Sequence, residues 1–133
     1  MKYLLSFIVE ERSRENASPE QMKEAMDRWT AFDKETTDAG ALIACEPVEE
    51  AKRTVRIDAE GERTVTDGPF AESKEQLGGF CLLECADLEE ALDWAAKVPI
   101  QPGSAIEVRE IMDLSAFGYE SATVSPVKAQ VKA

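Results

Sequence analysis

One short segment combines a carboxylate with the residues that build a rigid turn. Asp67, Gly68, Pro69 and Phe70 follow one another directly after a run with strand character. The aspartate can accept hydrogen bonds from the backbone two residues on, and proline restricts both its own φ and the preceding residue. A carboxylate held in this way suits a general acid or base, a group that orients a ligand, or a purely structural corner.

Aromatic and cationic side chains elsewhere could line a cleft around this carboxylate. The candidates for ligand contact are Tyr3, Trp29, Asp67, Phe70, Phe80 and Arg109. Trp29 also lies on a helical apolar stripe, which is typical of a core or subunit-interface residue. Arg109 lies on an outward strand face, where a cross-strand salt bridge is the common alternative.

The cysteines of the chain and its lack of histidine exclude several kinds of reaction and of metal site. The chain has three cysteines and no histidine, so a mechanism that needs an imidazole base is excluded. Cys81 and Cys85 would lie roughly 13 Å apart on one strand, too far for a disulfide. We therefore expect buried free thiols, including Cys45, and neither a metal site nor a cofactor.

Two successive glycines, Gly78 and Gly79, resemble the start of a phosphate loop. They lead into a strand rather than into a helix, so the backbone donors of a phosphate cradle are missing. The pair instead predicts a β-bulge or a close packing contact.

Composition limits the class of protein. The chain has 133 residues, of which 44% are hydrophobic and 32% charged, and its net charge is −12. These values indicate one globular domain. Its negative electrostatic field disfavours binding to nucleic acids and to anionic membranes. Residues 1–9 read as a first strand rather than a signal peptide, and no apolar run is long enough to span a bilayer. We expect a cytoplasmic protein.

The periodicities predict the elements that must position these side chains. Strands are expected at 2–9, 41–45, 53–58, 62–67, 79–85 and 104–111. Helices are expected after the N-caps Ser18 and Asp87, ending at Gly40 and before Pro99. The buried stripe of the first should contain Met22, Met26, Trp29, Phe32 and Thr36, and that of the second Leu88, Ala91, Leu92 and Ala95.

This order predicts an α+β fold of ferredoxin-like type, with an antiparallel sheet covered by two helices. The domain should occupy residues 1–112. Residues 113–133 differ in composition and form a C-terminal tail, which we expect to pack on the domain or on a partner subunit.

Several of these segments resemble the YCII-related family, in its DGPF branch. The resemblance rests on residues 67–70, on the run of residues 71–80, and on the segment through Trp94, and it covers residues 1–112. It implies a dimeric α/β-barrel with a cleft between sheet and helices. Some relatives are thought to use an aspartate near the DGPF position, which carries over to Asp67, together with a helix histidine near the position of Trp29, which is absent here.

Three functions remain open at this stage. The first is a homodimeric domain that binds a small molecule or a partner, with a link to extracytoplasmic-function sigma factors that the resemblance implies by association only. The second is a lyase or isomerase with Asp67 as general acid or base. The third is a structural or interaction dimer in which Asp67 only forms the turn.

Overall fold

The structure is a computed structural model that describes residues 1–10, 17–49, 54–65 and 75–123. The elements in these ranges are β1 (Lys2–Glu10), α1 (Pro19–Asp38), β2 (Leu42–Pro47), β3 (Val55–Ile57), β4 (Arg63–Val65), β5 (Glu75–Glu84), α2 (Leu88–Lys97), β6 (Ala105–Glu110) and a 3-10 helix (Leu114–Phe117). Their order confirms the predicted one. Because the chain continues in extended form through Gly78, β5 begins four residues earlier than predicted.

Four strands form one antiparallel sheet in the order β2-β5-β1-β6. The central strand β1 pairs with β5 on one side and with β6 on the other. β3 and β4 form a separate two-stranded sheet. The predicted α+β class, with an antiparallel sheet and two helices, is therefore confirmed, and it is compatible with a ferredoxin-like fold.

The two faces of the four-stranded sheet differ. Alternation along β1 directs Tyr3, Leu5 and Phe7 towards the helices, where they join the buried core. We call this face the helix side. Its remaining buried members are Phe32, Cys81, Leu83, Cys85, Ala91 and Val98. The opposite face, which we call the open side, is half-buried at Leu4 and at its neighbour Leu82.

The helix ends follow from local hydrogen bonds. The Ser18 hydroxyl accepts from the backbone N–H of Gln21 at 3.1 Å, and the Gln21 side chain accepts from the Ser18 N–H at 2.9 Å. The predicted N-cap is therefore confirmed, and the two residues form a capping box. Asp87 accepts from the N–H of Glu90 at 2.9 Å. Gly40 follows α1 with φ of 73°, as predicted for a helix end.

The predicted buried stripes of both helices are partly wrong. On α1, Phe32 and Thr36 are buried, but Met22 and Met26 are exposed. The sheet therefore covers the C-terminal half of the helix, and no described residue covers the methionines. On α2, Leu88 and Leu92 are likewise exposed, because Ala91 faces the core and Trp94 packs beside it.

The hairpin of β3 and β4 turns at Gly61, where φ is 87°, and Asp58 accepts hydrogen bonds from two backbone N–H groups of the turn. This agrees with the predicted hairpin. Its apolar residues Val55 and Ile57 are 54% and 62% exposed. Among the described residues, nothing covers either of these side chains.

A hydrogen bond joins the chain after residue 112 to the domain. The Lys2 ammonium group donates to the Ser121 hydroxyl at 2.8 Å, which links the start of β1 to the C-terminal segment. Residues 124–133 lie outside the described ranges. Across the described ranges, neither α-helix has the length and apolarity needed to cross a membrane.

Candidate functional site

The predicted turn at residues 67–70, with Asp67 and Phe70, lies outside the described residues. The described chain resumes at Glu75, which pairs with Glu10 at the last position of β1. On the C-terminal side of the predicted turn, the first described residues therefore lie at the end of the sheet where β1 finishes and β5 begins.

The sheet separates the other predicted contact residues into two pairs. Tyr3 and Trp29 lie on the helix side, where Tyr3 is only 2% exposed and Trp29 packs against the core. Phe80 and Arg109 project from β5 and β6 on the open side, according to the strand register. A small ligand on one side of the sheet would therefore reach one pair and not the other.

Tyr3 is part of the core rather than an exposed acid or base. Burial raises the pKa of its phenol above the ordinary value, and the nearby carboxylate of Glu110 raises it further. The phenol is therefore protonated at neutral pH and serves as a large packing group between the sheet and the helices.

A tryptophan and a phenylalanine join α1 to β1 near the end of the sheet. The rings of Trp29 and Phe7 have centroids 5.2 Å apart and planes tilted by 50°. Phe7 lies opposite Gly79, where a Cβ atom would approach its ring to 3.1 Å and the Glu46 carbonyl oxygen to 2.8 Å. The aromatic contact thus depends on a position without a side chain.

Gly78 is the extra residue of a β-bulge. The register shifts there, so that Phe7 pairs with Gly79 and Ile8 already pairs with Leu77. A Cβ atom on Gly78 would lie 2.7 Å from a methyl group of Val9. The sequence-based interpretation of the glycine pair as a bulge with close packing is confirmed.

Asp33 brings a carboxylate to the helix–sheet layer one turn after Trp29. Its Oδ1 atom is buried and has no hydrogen-bond partner in the described part of the chain. Desolvation raises the pKa of the carboxyl group above the ordinary value of 3.8, and the charge of Glu46 on β2 raises it further. A buried polar atom of this kind needs a partner that the described chain does not supply.

Gln76 is the second residue with such an atom. It pairs with Val9 on β5, just beyond the bulge, and the alternation of β1 places it on the helix side. Its Nε2 atom is buried without a hydrogen-bond partner among the described residues. Within the described residues, the helix side therefore contains an unpaired acceptor on α1 and an unpaired donor on β5.

The cysteines correct one expectation. Cys45 of β2 lies directly opposite Cys81 of β5, with Cα atoms 4.1 Å apart, and the two form a disulfide. The prediction of three free thiols was therefore wrong, and only Cys85 is free. The spacing of Cys81 and Cys85 along one strand correctly excluded a disulfide between them. The pairing of Cys45 with Cys81 depends on the register between two strands, which the spacing of cysteines in the sequence does not give.

No group of three or more His, Cys, Asp or Glu side chains within residues 1–10, 17–49, 54–65 and 75–123 is arranged to hold a metal ion.

Sequence reasoning missed Asp33 and Gln76. For Asp33 a signal existed, because it lies four residues after Trp29 and next to Phe32, within the apolar stripe of α1. A charged residue inside such a stripe is a candidate for a buried ionisable group. For Gln76 no comparable signal existed, because its orientation depends on the bulge at Gly78.

Comparisons with known proteins agree with the architecture. A family model of the YCII-related domain matches residues 1–115. A protein of Rhizobium meliloti (strain 1021), named as uncharacterized, is 45% identical over 80 residues. That similarity covers 59% of this chain and 64% of the relative, so the chain spans less than two thirds of the relative's length.

Proposed function

The chain belongs to the YCII-related family, and from this premise we propose that it is a homodimeric domain that binds a small organic molecule. The proposed site lies on the helix side of the sheet, at the end where β1 finishes and β5 begins. Trp29 would supply the apolar surface, and the ligand would offer a hydrogen-bond donor to Asp33 or an acceptor to Gln76.

One observation carries this proposal. Two buried polar atoms, Asp33 Oδ1 and Gln76 Nε2, have no partner within the described chain. Leaving a buried polar atom unpaired destabilises a protein by about 1–3 kcal/mol. An unpaired acceptor and an unpaired donor beside an aromatic contact match the composition of small-molecule sites, which combine apolar walls with a few polar groups. Asp67 and Phe70, next along the chain before β5, are proposed to complete the site.

A thermal-shift screen tests the proposal. Small aromatic and aliphatic amines, amides and alcohols are added singly to the purified protein, and a ligand of the native state raises the melting temperature. A hit should lose its effect in Asp33→Asn or in Gln76→Leu. Asp27→Asn, an exposed position on the same helix, and Gln101→Leu, exposed beyond α2, are matched controls that should retain the effect. Equal retention in all four variants would refute this site.

A second function, a lyase or isomerase, is supported by the raised pKa of Asp33. A general acid or base at neutral pH needs a carboxyl group whose pKa is higher than usual, and burial provides this. In this case Asp33 would share the chemistry with Asp67. Asp67→Asn should then abolish turnover of a ligand found by the screen while leaving its binding measurable.

Homodimer formation is proposed through the open side of the sheet. Leu4 and Leu82 are paired neighbours there, and both are half-buried in the single chain. Lys2 and Glu84 pair next to them, and Arg109 lies opposite Leu4, so charged residues border the apolar centre. An apolar centre with a polar rim is the usual anatomy of a protein interface.

Two further parts of the proposal concern the cell. We propose a cytoplasmic location and a regulatory link to extracytoplasmic-function sigma factors. The support for the link is the family resemblance. The net charge of −12 favours a protein partner over direct contact with DNA. If this binding replaces a small-molecule ligand, the screen would give no hit, and residues 67–70 would be the first candidates for the contact.

A further inference from the structure

We propose that the Cys45–Cys81 disulfide is a thiol–disulfide exchange site that controls how β2 lies beside the Gly78–Gly79 bulge. The effect on ligand binding rests on the function proposed above. The formation and reduction of the bond, and its effect on β2, do not depend on that function.

The bond lies next to the candidate site. β2 pairs with β5 so that Cys45 faces Cys81 and, two residues further, Pro47 faces Gly79. The backbone N–H of Val48 donates to the Gly78 carbonyl at 3.0 Å. The Glu46 carbonyl and the Pro47 Cα lie within 3.2 Å of the position that a Gly79 Cβ would occupy. The disulfide therefore anchors the stretch of β2 that closes over the bulge.

In the described part of the chain, the anchored strand lies at the edge of the sheet. β2 is an edge strand, and β5 is its one neighbour in the four-stranded sheet. Edge strands are held by ladder hydrogen bonds on one side only, so their ends open more easily than those of central strands. A covalent bond near the end of such a strand restricts this opening, and its loss permits it.

The two cysteine residues differ in burial. Cys81 is 0% exposed, whereas Cys45 is only half-buried at the edge of the sheet. The thiolate of a dithiol reductant would attack the Cys45 sulfur and form a mixed disulfide with it. The bond to Cys81 breaks, and Cys81 leaves as a thiolate that takes up a proton. The second thiol of the reductant then displaces Cys45. Two electrons and two protons pass to the protein, and the reductant leaves as its own disulfide.

Cys85 does not take part in this exchange. It lies on the same side of the sheet, four residues after Cys81, and is buried. Desolvation raises the pKa of its thiol to about 11, with the charge of Glu90 contributing, so little thiolate exists at neutral pH. The exchange therefore has two states, with Cys45 and Cys81 both oxidised or both reduced.

In the cytoplasmic location proposed above, this bond would act as a redox switch rather than as a structural link. Disulfides in reducing compartments are usually transient and serve catalysis or redox sensing rather than stability. The bond would then form when the thiol pool becomes oxidised, by exchange with a low-molecular-weight disulfide, and break when dithiol reductants return.

The test compares the full chain after treatment with oxidised glutathione and with dithiothreitol. Mass spectrometry after alkylation in denaturant should show one modified cysteine in the oxidised chain and three in the reduced chain. Reduction should lower the melting temperature by on the order of 10 °C, because the bond closes a loop of 36 residues. In a Trp94→Phe background, the emission of Trp29 should change with reduction, since Trp29 packs on Phe7 opposite Gly79.

Two variants separate the bond from general thiol effects. Cys45→Ala should behave as the reduced chain and no longer respond to dithiothreitol, while Cys85→Ala should keep the full response. If the wild-type chain shows three free thiols after oxidation, or the same melting temperature and emission in both states, the proposal is wrong; this comparison needs no variant to fold. A ligand that binds both states equally would refute the coupling to the site and leave the proposed function standing.

Discussion

Trp29 and Phe7 meet across the helix–sheet layer with ring centroids 5.2 Å apart, and the residue opposite Phe7 on β5 is Gly79. The side chains of Trp29 and Phe7 thus pack in one small region, and Gly79 has no side chain that would compete for this space. The unpaired atoms of Asp33 and Gln76 lie on the same side of the sheet. The predictions below ask how much each of these features contributes.

Alanine at Gly78 or at the neighbouring Gly79 should destabilise the fold, through a different clash at each position. Gly78→Ala brings a methyl group 2.7 Å from a Val9 methyl, and Gly79→Ala brings one 2.8 Å from the Glu46 carbonyl. Each should reduce the free energy of unfolding by about 1–3 kcal/mol, the usual effect of overpacking. Denaturant unfolding followed by circular dichroism measures the change.

A second substitution distinguishes the two clashes. Val9→Ala removes the methyl groups that Gly78→Ala meets, so the double variant should recover part of the loss. The same Val9→Ala should not rescue Gly79→Ala, because the obstacle there is a backbone oxygen. Equal rescue of both would mean that the bulge itself, and not these contacts, determines stability.

Asp33 should make the fold less stable as the pH rises. The folded pKa is raised above 3.8, so between that value and the folded value the native chain holds more proton than the unfolded chain. The free energy of unfolding therefore decreases as pH increases through this window, and the penalty is fully present above it. Asp33→Asn should be more stable than wild type at pH 7, and the difference should narrow as the pH falls through the window.

The difference between variants matters here, because many other carboxylates also titrate. Asp27→Asn, on the exposed face of α1, should stay within about 0.5 kcal/mol of wild type throughout. A stability profile in which Asp33→Asn runs parallel to wild type from pH 7 to pH 3 would show that the Asp33 carboxylate is not desolvated.

The capping box of α1 should account for a measurable part of stability. Ser18→Ala removes the acceptor of the Gln21 N–H and should destabilise the protein by about 1 kcal/mol. Ser18→Asp retains an acceptor and should stay close to wild type. Thermal unfolding of both variants gives the comparison, and equal losses in the two would mean that the cap does not form in solution.

The open side of the sheet should carry the dimer contact. Leu82→Asp places a charge at the centre of the proposed interface and should yield a monomer by light scattering coupled to size exclusion. Leu92→Asp makes the same change at an exposed position of α2 and should leave the mass unchanged. A wild-type chain that is monomeric at micromolar concentration would refute the dimer directly.

Local features were predicted well because neighbouring residues decide them. Ser18 and Gln21 cap α1 through bonds within one turn, and Gly40 ends the helix through its own backbone conformation. Helical spacing was less reliable, since Met22 shares the stripe of Phe32 but has no described residue to cover it.

The sequence by itself determined the element order, the α+β class and the helix ends, because propensity, alternation and capping act within a few residues. Only the tertiary structure decided that Cys45 meets Cys81 and that Gly78 is the bulged residue. It also decided that Asp33 Oδ1 and Gln76 Nε2 are buried with no hydrogen-bond partner among the described residues. These facts depend on strand register and on how a helix lies over a sheet, and both arise from contacts between residues far apart in the chain.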